Sequence, residues 1–166
     1  MKNIAVFAGS LLVGIAAAAF AAPPESSEPS LAGTWTLVAA DDLKPDGTRA
    51  AAYGPNPQGL LIIEKDGRYA LQIYRSDRAK FASGNKRQGT PEEYQAATLA
   101  MSTHYGTCAV DFKTCTLTFH IERAGFANWD GTDQKRPFEL KGDELSYRVP
   151  ATPDGMVPIS VWRRVR

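Results

Sequence analysis

Both cysteines of the chain lie in one short segment, GTCAVDFKTCTLTFH (106–120). A CxxC redox motif is absent, and two cysteines with scattered histidines do not form a zinc site. A short turn at residues 111–112 would place Cys108 directly opposite Cys115 on antiparallel strands, within the range of a disulfide bond. We therefore expect a disulfide that stabilises this hairpin by at most about 2 to 3 kcal/mol. The alternative is a pair of reduced, buried thiols, because a directly cross-strand disulfide is somewhat strained.

His120 is the residue of this segment that could transfer a proton near neutral pH. It shares the polar face of a period-two pattern with Glu122, whereas Phe119 lies on the apolar face. If the apolar face points into the protein, as is common, His120 lies outside. If the polar face lines a cavity, His120 becomes a hydrogen-bonding or proton-transferring group. We keep His120 and Phe119 as candidate ligand contacts.

A second hairpin, KRPFELKGDELSYRV (135–149), contains the most informative charge. A tight turn at residues 142–143 puts Arg136 on the same apolar face as Phe138 and Tyr147. A charge on an inward face is costly unless it is paired. Arg136 therefore predicts one of two arrangements. It recognises an anion or a carbonyl inside an apolar cavity, or it lies at a mouth with its head in water or paired to a structural acid.

Common sequence motifs of catalysis are missing from the chain. There is no Gly-x-Ser-x-Gly elbow, no HExxH helix and no motif of paired carboxylates. GNKRQGT (84–90) precedes a helix as a phosphate loop does, but it lacks the Lys-Ser/Thr pair, and Pro91 stands where an N–H donor is needed. The sequence therefore predicts no catalytic residue, no cofactor and no metal ion, and it favours a binding protein over an enzyme.

The first residues are typical of a secretory leader. Lys2 supplies a positive charge, residues 4–20 are apolar apart from Ser10, and residues 19–21 offer a cleavage site. We expect a signal peptide over 1–21, a disordered linker over 22–30, and a periplasmic or secreted domain over 31–166. No cysteine lies directly after the apolar segment, at residues 21–30, which argues against a lipid anchor. The alternative is a retained membrane anchor.

Net charge excludes one class of partner. Loss of the leader removes Lys2, one of 19 basic residues, and none of the 18 acidic ones, so the formal net charge falls from +1 to zero. Without a basic excess the domain lacks the electrostatic footprint of a nucleic-acid binder. No later segment is apolar for long enough to suggest stable membrane insertion, and the remaining length suits one domain.

The apolar residues after Ser30 follow mostly period two, which indicates strands. GTWTLVAA (33–40) predicts the first strand, and GLLIIEKDGRYALQIYR (59–75) predicts a hairpin with a type I′ turn at residues 66–67. In that register the apolar face carries Leu60, Ile62, Leu71 and Ile73.

One helix is predicted, with Thr90 as N-cap, Pro91 in the first turn and Glu93 completing a capping box. It should extend to about Thr103. The preceding loop, 76–89, is rich in Arg and Lys, and is either solvated or an electropositive rim that attracts anionic ligands. Eight strands and one inserted helix, joined without long crossovers, predict an all-β fold, an antiparallel up-and-down barrel.

Several short motifs follow one another along the chain: LAGTW (31–35), Tyr53-Gly54, Gly59, Asp66-Gly67, TFHIE (118–122), NWDGTDQKR (128–136) and VWRR (161–164). Their order and spacing resemble the bacterial lipocalin-like domain family across nearly the whole mature chain. The resemblance implies an eight-stranded barrel with an interior cavity, and it implies little about function. The chain departs from the family pattern at Cys108, where an aromatic is usual, near Cys115, where a turn glycine is usual, and at Phe119, where a second histidine is often found.

The resemblance assigns Trp35 to structure, because in the lipocalin pattern this tryptophan closes one end of the barrel. An arginine of the last strand, Arg163 or Arg164, would cover its ring in a cation–π contact worth about 0.5 to 2 kcal/mol. The alternative role of Trp35 is contact with a ligand.

These observations predict a periplasmic or secreted lipocalin-like protein that binds a small, largely apolar molecule, with or without a carboxylate or carbonyl. The candidate ligand-binding residues are Arg136, Tyr147, Phe138, Phe119, His120 and Trp129, in a cavity also lined by Leu60, Ile62, Leu71 and Ile73. One alternative is an isomerase- or cyclase-type enzyme in which His120 or Arg136 polarises a carbonyl. Another is a barrel that is filled by its own side chains and acts as an interaction module through its loops.

Overall fold

The computed structural model describes residues 29–166, so the expected leader (1–21) and most of the expected linker (22–30) lie outside the described residues. Within the described part the chain forms nine strands, one α-helix and one 3₁₀ turn. Their bounds are β1 Gly33–Leu43, β2 Arg49–Ala51, β3 Gln58–Ile63, β4 Arg68–Tyr74, α1 Pro91–Leu99, β5 Met101–Asp111, β6 Thr116–Ala124, the 3₁₀ turn Ala127–Trp129, β7 Asp133–Lys141, β8 Glu144–Arg148 and β9 Val157–Arg164. No helix in residues 29–166 has the length and hydropathy of a membrane span.

The sheet closes on itself, because β1 pairs with β9 as well as with β3. From β3 to β9 each strand lies antiparallel beside the next strand in the chain. The three-residue β2 adds to the far end of β1, and the other eight strands form the barrel wall. The predicted eight-stranded antiparallel barrel with one inserted helix is confirmed.

The two ends of the barrel differ in their connections. One end carries the tight turns of the β3–β4, β5–β6 and β7–β8 hairpins, together with the start of β1 and the end of β9. We call it the closed end. The open end carries the longer connections, which are 44–57 with strand β2, 75–100 with helix α1, 125–132 with the 3₁₀ turn, and 149–156.

The β3–β4 turn contains one residue more than predicted, and this changes the register. Leu61, and not Ile62, is the partner of Leu71. Gly67 has φ 87° and ends a three-residue loop, which replaces the predicted type I′ turn. A slip of one residue exchanges the two faces of a strand, so the expectation that Leu60 and Ile62 line the interior is wrong. The buried residues of this hairpin are Leu61, Ile63, Tyr69, Leu71 and Ile73.

The β5–β6 turn is also longer than predicted, so the two cysteines do not face each other. Cys108 pairs with Phe119 in the sheet, whereas Cys115 lies in the turn with φ 49°. Both thiols are free, with Cys108 half-buried and Cys115 exposed. The predicted disulfide is therefore wrong. The Asp111 carboxylate favours the longer turn, because it accepts two backbone N–H groups from within it, at 2.8 and 3.3 Å.

Helix α1 begins as predicted. Thr90 Oγ1 accepts the N–H of Glu93 (3.3 Å), and the Glu93 carboxylate accepts the N–H of Thr90 (2.8 Å). The helix ends at Leu99, earlier than predicted, because the chain joins the sheet at Met101. His104 consequently lies in strand β5.

The β7–β8 hairpin has the predicted register, with Phe138 opposite Tyr147 and Leu140 opposite Leu145. Gly142 has φ 60°, which a two-residue turn requires and glycine adopts without strain. Apolar side chains from all parts of the wall fill the barrel; those that are fully buried include Trp35, Leu61, Leu117, Phe119, Ile121, Leu145 and Trp162.

Candidate functional site inside the barrel

Trp35 seals the closed end. Its side chain is fully buried, and its indole N–H donates to the Leu31 carbonyl (3.0 Å). The Arg164 guanidinium lies 4.1 Å from the ring centroid and donates to two backbone carbonyls of the segment 30–32, at 2.6 and 2.7 Å. Arg163 points outward to an ion pair with a β8 carboxylate (3.5 Å). The structure therefore gives the covering position to Arg164.

Arg136 projects into the barrel from β7, and 6% of its surface is exposed. Its guanidinium donates to the side-chain oxygen of Gln134 and to the backbone carbonyl of Lys135 (3.3 Å), and both acceptors are neutral. No ion pair within residues 29–166 includes Arg136. Burial lowers the pKa of Arg136, but an arginine keeps its charge in proteins. The interior therefore holds a positive charge without a carboxylate partner in the described part of the chain.

A histidine and a tyrosine form a buried hydrogen bond near this charge. Nδ1 of His104 lies 2.8 Å from the hydroxyl oxygen of Tyr69, and 7% of His104 is exposed. Burial, assisted by the charge of Arg136, lowers the pKa of His104 to about 4. Burial raises the pKa of Tyr69. Both side chains are therefore uncharged at neutral pH.

Tyr147 and Trp162, on neighbouring strands, stack with ring centroids 6.4 Å apart and an interplanar angle of 27°. Burial raises the pKa of Tyr147 to about 12, and the charge of Arg136 acts in the opposite direction. The Tyr147 hydroxyl lies beside the side chains of Ser160 and Trp162. The indole N–H of Trp162 is nevertheless fully buried and has no hydrogen-bond partner among residues 29–166. The Trp162 N–H thus lies close to the Tyr147 hydroxyl without a hydrogen bond of good geometry to it.

Aromatic rings from four strands meet around Phe119. Its ring centroid lies 4.5 Å from that of Tyr69, 5.4 Å from that of His104 and 6.0 Å from that of Tyr147. Phe138 is buried on the same inward face as Arg136. The predicted site residues of β6, β7 and β8 thus come together inside the barrel, but their rings fill the interior at this level.

Trp129 covers the interior at the open end. Its ring meets those of His104 (6.1 Å) and Phe126 (5.5 Å) edge to face. Beside it lies a pocket of about 70 Å³ that Tyr53 and Met101 also line. Ligand sites are typically roughly 300 to 1,000 Å³ in volume. A ligand that enters at this end therefore has to displace Trp129.

Residues 32–165 match the family model described as a lipocalin-like domain. The chain belongs to the lipocalin-like domain family. The family resemblance of the sequence motifs is confirmed. A solved structure of a mutant of the fluorescent protein UnaG is similar to this lipocalin-like barrel over 81% of this chain and 96% of that chain, with 14% sequence identity and a TM-score of 0.36. No curated protein matches the chain.

His120 lies outside the lipocalin-like barrel, so its place among the candidate ligand contacts is wrong. Its side chain is 54% exposed, and Nδ1 lies 2.7 Å from the Asp133 carboxylate. The physical reason is strand alternation, because Phe119 and Ile121 on either side occupy the inward positions. A group on the outer face cannot act on a molecule bound inside.

The sequence pattern does not single out His104 or Tyr69. A helix predicted to end near Thr103 leaves His104 outside any strand. The predicted β3–β4 register sets Tyr69 on the apolar face of that hairpin, but it predicts no contact between Tyr69 and His104. The available signal is MSTHYGTC (101–108), in which His104 shares one face of a strand with Cys108.

The outer wall of the lipocalin-like barrel offers other surfaces. Pockets of about 450 and 410 Å³ lie against β7–β9 and against β4–β5. In the first pocket, Arg49, Lys141 and Arg148 lie among acidic residues, so it has no dominant charge. Residues 29–166 contain no group of three or more His, Cys, Asp or Glu side chains that could hold a metal ion.

Proposed function

We propose that this lipocalin-like protein binds a small, largely apolar molecule inside the barrel and holds its polar end at Arg136. The observation that carries the proposal is the buried guanidinium with neutral acceptors in an aromatic interior. A buried charge without a counter-charge costs free energy of folding. A polar ligand group that accepts hydrogen bonds from Arg136 would compensate this cost when it binds.

We place this activity outside the cytoplasm, in the periplasm or after secretion. The support is the order of features typical of a signal peptide. A positive charge at Lys2 comes first, an apolar segment over 4–20 follows, and a cleavage site lies at 19–21. N-terminal sequencing of the protein from its source cells should give a first residue of Ala22. A first residue of Met1 in an exported protein would contradict cleavage and favour a retained anchor.

Ligand entry involves Trp129, because the pocket beside it is smaller than a typical ligand site. Displacement of Trp129 from His104 and Phe126 changes the polarity around its indole. A bound ligand should therefore change the tryptophan emission of the protein. The Trp129→Phe variant is the control, since it keeps the two buried tryptophans and should lose most of the change.

Native mass spectrometry of the protein purified from its source cells tests the proposal directly. We expect a small-molecule adduct on the wild type and less adduct on Arg136→Leu. Arg148→Leu is the matched control, because Arg148 is an exposed arginine on the adjacent strand. It should carry the wild-type adduct.

The melting temperature of the same variants separates a ligand role from a structural role. If Arg136 serves a ligand, Arg136→Leu removes an uncompensated buried charge and should leave the melting temperature unchanged or raise it. Unchanged ligand binding combined with lost stability would remove Arg136 from the site. A wild-type protein without adduct and without any ligand-induced emission change would favour the filled barrel that acts through its loops.

A second candidate function is an isomerase- or cyclase-type reaction, in which His104 takes the part first considered for His120. The favouring observation is the hydrogen bond of 2.8 Å between His104 and Tyr69 beside a buried cation. An unprotonated imidazole can accept a proton from a carbon next to a carbonyl that Arg136 polarises. Exchange of such protons of apolar ketones in D₂O, followed by NMR, should then be lost in His104→Asn. No exchange by the wild type would exclude this reaction.

A further inference from the structure

Two buried polar groups of the barrel can only donate hydrogen bonds, the guanidinium of Arg136 and the indole N–H of Trp162. A guanidinium has five N–H groups and cannot accept, and the described residues supply Arg136 with two acceptors, on Gln134 and Lys135. The indole N–H of Trp162, which also cannot accept, is fully buried and makes no hydrogen bond within residues 29–166. Buried donors without acceptors are rare and costly. A ligand that completes this interior therefore brings acceptors.

Among residues 29–166, no buried side chain carries a negative charge. The titratable side chains whose charges act on Arg136 are Tyr147 and Tyr69, and burial keeps both protonated at neutral pH. His104 is neutral there and becomes positive when it titrates. A neutral carbonyl or alcohol would accept a hydrogen bond but would leave the guanidinium unpaired. A phosphate would bring nearly two negative charges against one positive charge.

We infer that the polar end of the ligand is an ionised carboxylate, bound by Arg136 and by the indole N–H of Trp162. A carboxylate has two oxygens that only accept, and it pairs with a guanidinium in a charge-assisted, bidentate manner. Tyr147 lies near both donors. Its ring stacks on Trp162. Its sheet partner Phe138 lies two residues from Arg136 on the same inward face. The inference rests on the proposed function and adds the charge of the ligand.

Pairs of ligands that differ only in their polar end test the inference. The probes are octanoate with octan-1-ol, and phenylbutyrate with phenylbutanol, titrated into the wild type by calorimetry at a pH near 8. At least one of the two carboxylates should bind about tenfold or more tightly than its alcohol, because its second oxygen accepts a further hydrogen bond and each hydrogen bond to a charged group is worth about this ratio. The two tails, one linear and one aromatic, separate the effect of the polar end from the effect of tail shape.

Variants of both donors sharpen the test. Arg136→Leu should remove the advantage of the carboxylate, so that the acid and the alcohol of each pair bind with similar affinities. Arg136→Lys should keep part of the advantage, because it retains the charge without the bidentate geometry. Trp162→Phe should weaken carboxylate binding by about three- to tenfold, as loss of one buried donor predicts. Circular dichroism and the melting temperature check that each variant is folded.

The outcomes distinguish the inference from the proposed function. Equal affinities for acid and alcohol would overturn the carboxylate and leave small-molecule binding in place. A carboxylate advantage that persists in folded Arg136→Leu and Arg136→Lys would overturn the assignment to Arg136. Absence of binding for all four probes, together with no adduct in native mass spectrometry, would overturn both.

Discussion

The buried His104 predicts how the stability of the barrel depends on pH. An exposed histidine in the unfolded chain takes up a proton near pH 6.5, whereas His104 in the folded barrel does so only near pH 4, because burial and the charge of Arg136 oppose the imidazolium. Between these values the unfolded state binds more protons than the folded state. The free energy of unfolding therefore falls as the pH falls through this window, and the full contribution is present above pH 6.5.

The size of the effect follows from the two pKa values. Each pKa unit corresponds to about 1.4 kcal/mol, so the change from 6.5 to about 4 is worth on the order of 3 kcal/mol. This is a large fraction of the stability of an ordinary domain. The partners that face His104 are Tyr69 and Arg136, and neither can supply a negative charge that would stabilise the imidazolium.

The assay is urea unfolding at several pH values from 7.5 to 4, with wild type, His104→Asn and His120→Asn. Several exposed carboxylates with lowered pKa values, such as Asp46 and Asp154, also destabilise the fold in acid, and the difference between proteins removes their contribution. His104→Asn keeps a polar atom near Nδ1 but cannot take a proton. Its free energy of unfolding should depend on pH less steeply than that of the wild type, by about 3 kcal/mol over the window.

His120→Asn is the matched control, because His120 is the other of the two histidines and lies on the outer face. It should retain the steep dependence assigned to His104. Equal slopes for wild type and His104→Asn would refute the reasoning. A direct check is the NMR titration of the His104 ring, which should show no protonation above about pH 5.

Three further perturbations test other parts of the fold. Trp35→Ala should destabilise the barrel by about 3 to 5 kcal/mol, and Arg164→Ala by about 0.5 to 2 kcal/mol. An unchanged melting curve for Trp35→Ala would contradict the closed-end assignment. Iodoacetamide should label the exposed Cys115 quickly and Cys108 slowly, since burial raises the pKa of the Cys108 thiol to about 11; an intact mass two hydrogens below the reduced value would instead show a disulfide. Thr90→Ala removes the helix cap and should cost about 1 kcal/mol in chemical unfolding, with no loss expected only if the helix is already frayed.

The fold was predictable from the sequence wherever a local signal fixed the turn. The Gly142 turn has two residues and gives the expected register. The Gly67 turn is equally clear as a turn, but its length depends on one further backbone residue, which the sequence does not determine. In the β5–β6 hairpin, the Asp111 carboxylate caps a longer turn, so Cys115 lies in the turn and outside the sheet. Both of these hairpin errors are errors of turn length, and a period-two pattern converts them into errors of face or pairing.

The candidate site was predictable in part for the same reason. Arg136, Phe138 and Tyr147 belong to the hairpin with the simple turn, and all three are buried as expected. His104 and Tyr69 depend on where a helix ends and on how strands pair across the barrel. Their hydrogen bond joins residues 35 positions apart, and no local pattern encodes such a contact.

The seam between β1 and β9 has a consequence for how the protein forms. Thr36 and Arg163, which meet across it, are 127 positions apart in the chain. The barrel cannot close until β9 has formed beside β1. Folding should therefore be slow, as it is for other folds whose contacts join residues far apart in the sequence. Until then β1 and β8 present unpaired edges, and such edges can pair with a second chain. A chain shortened before β9 would therefore give an open sheet prone to association.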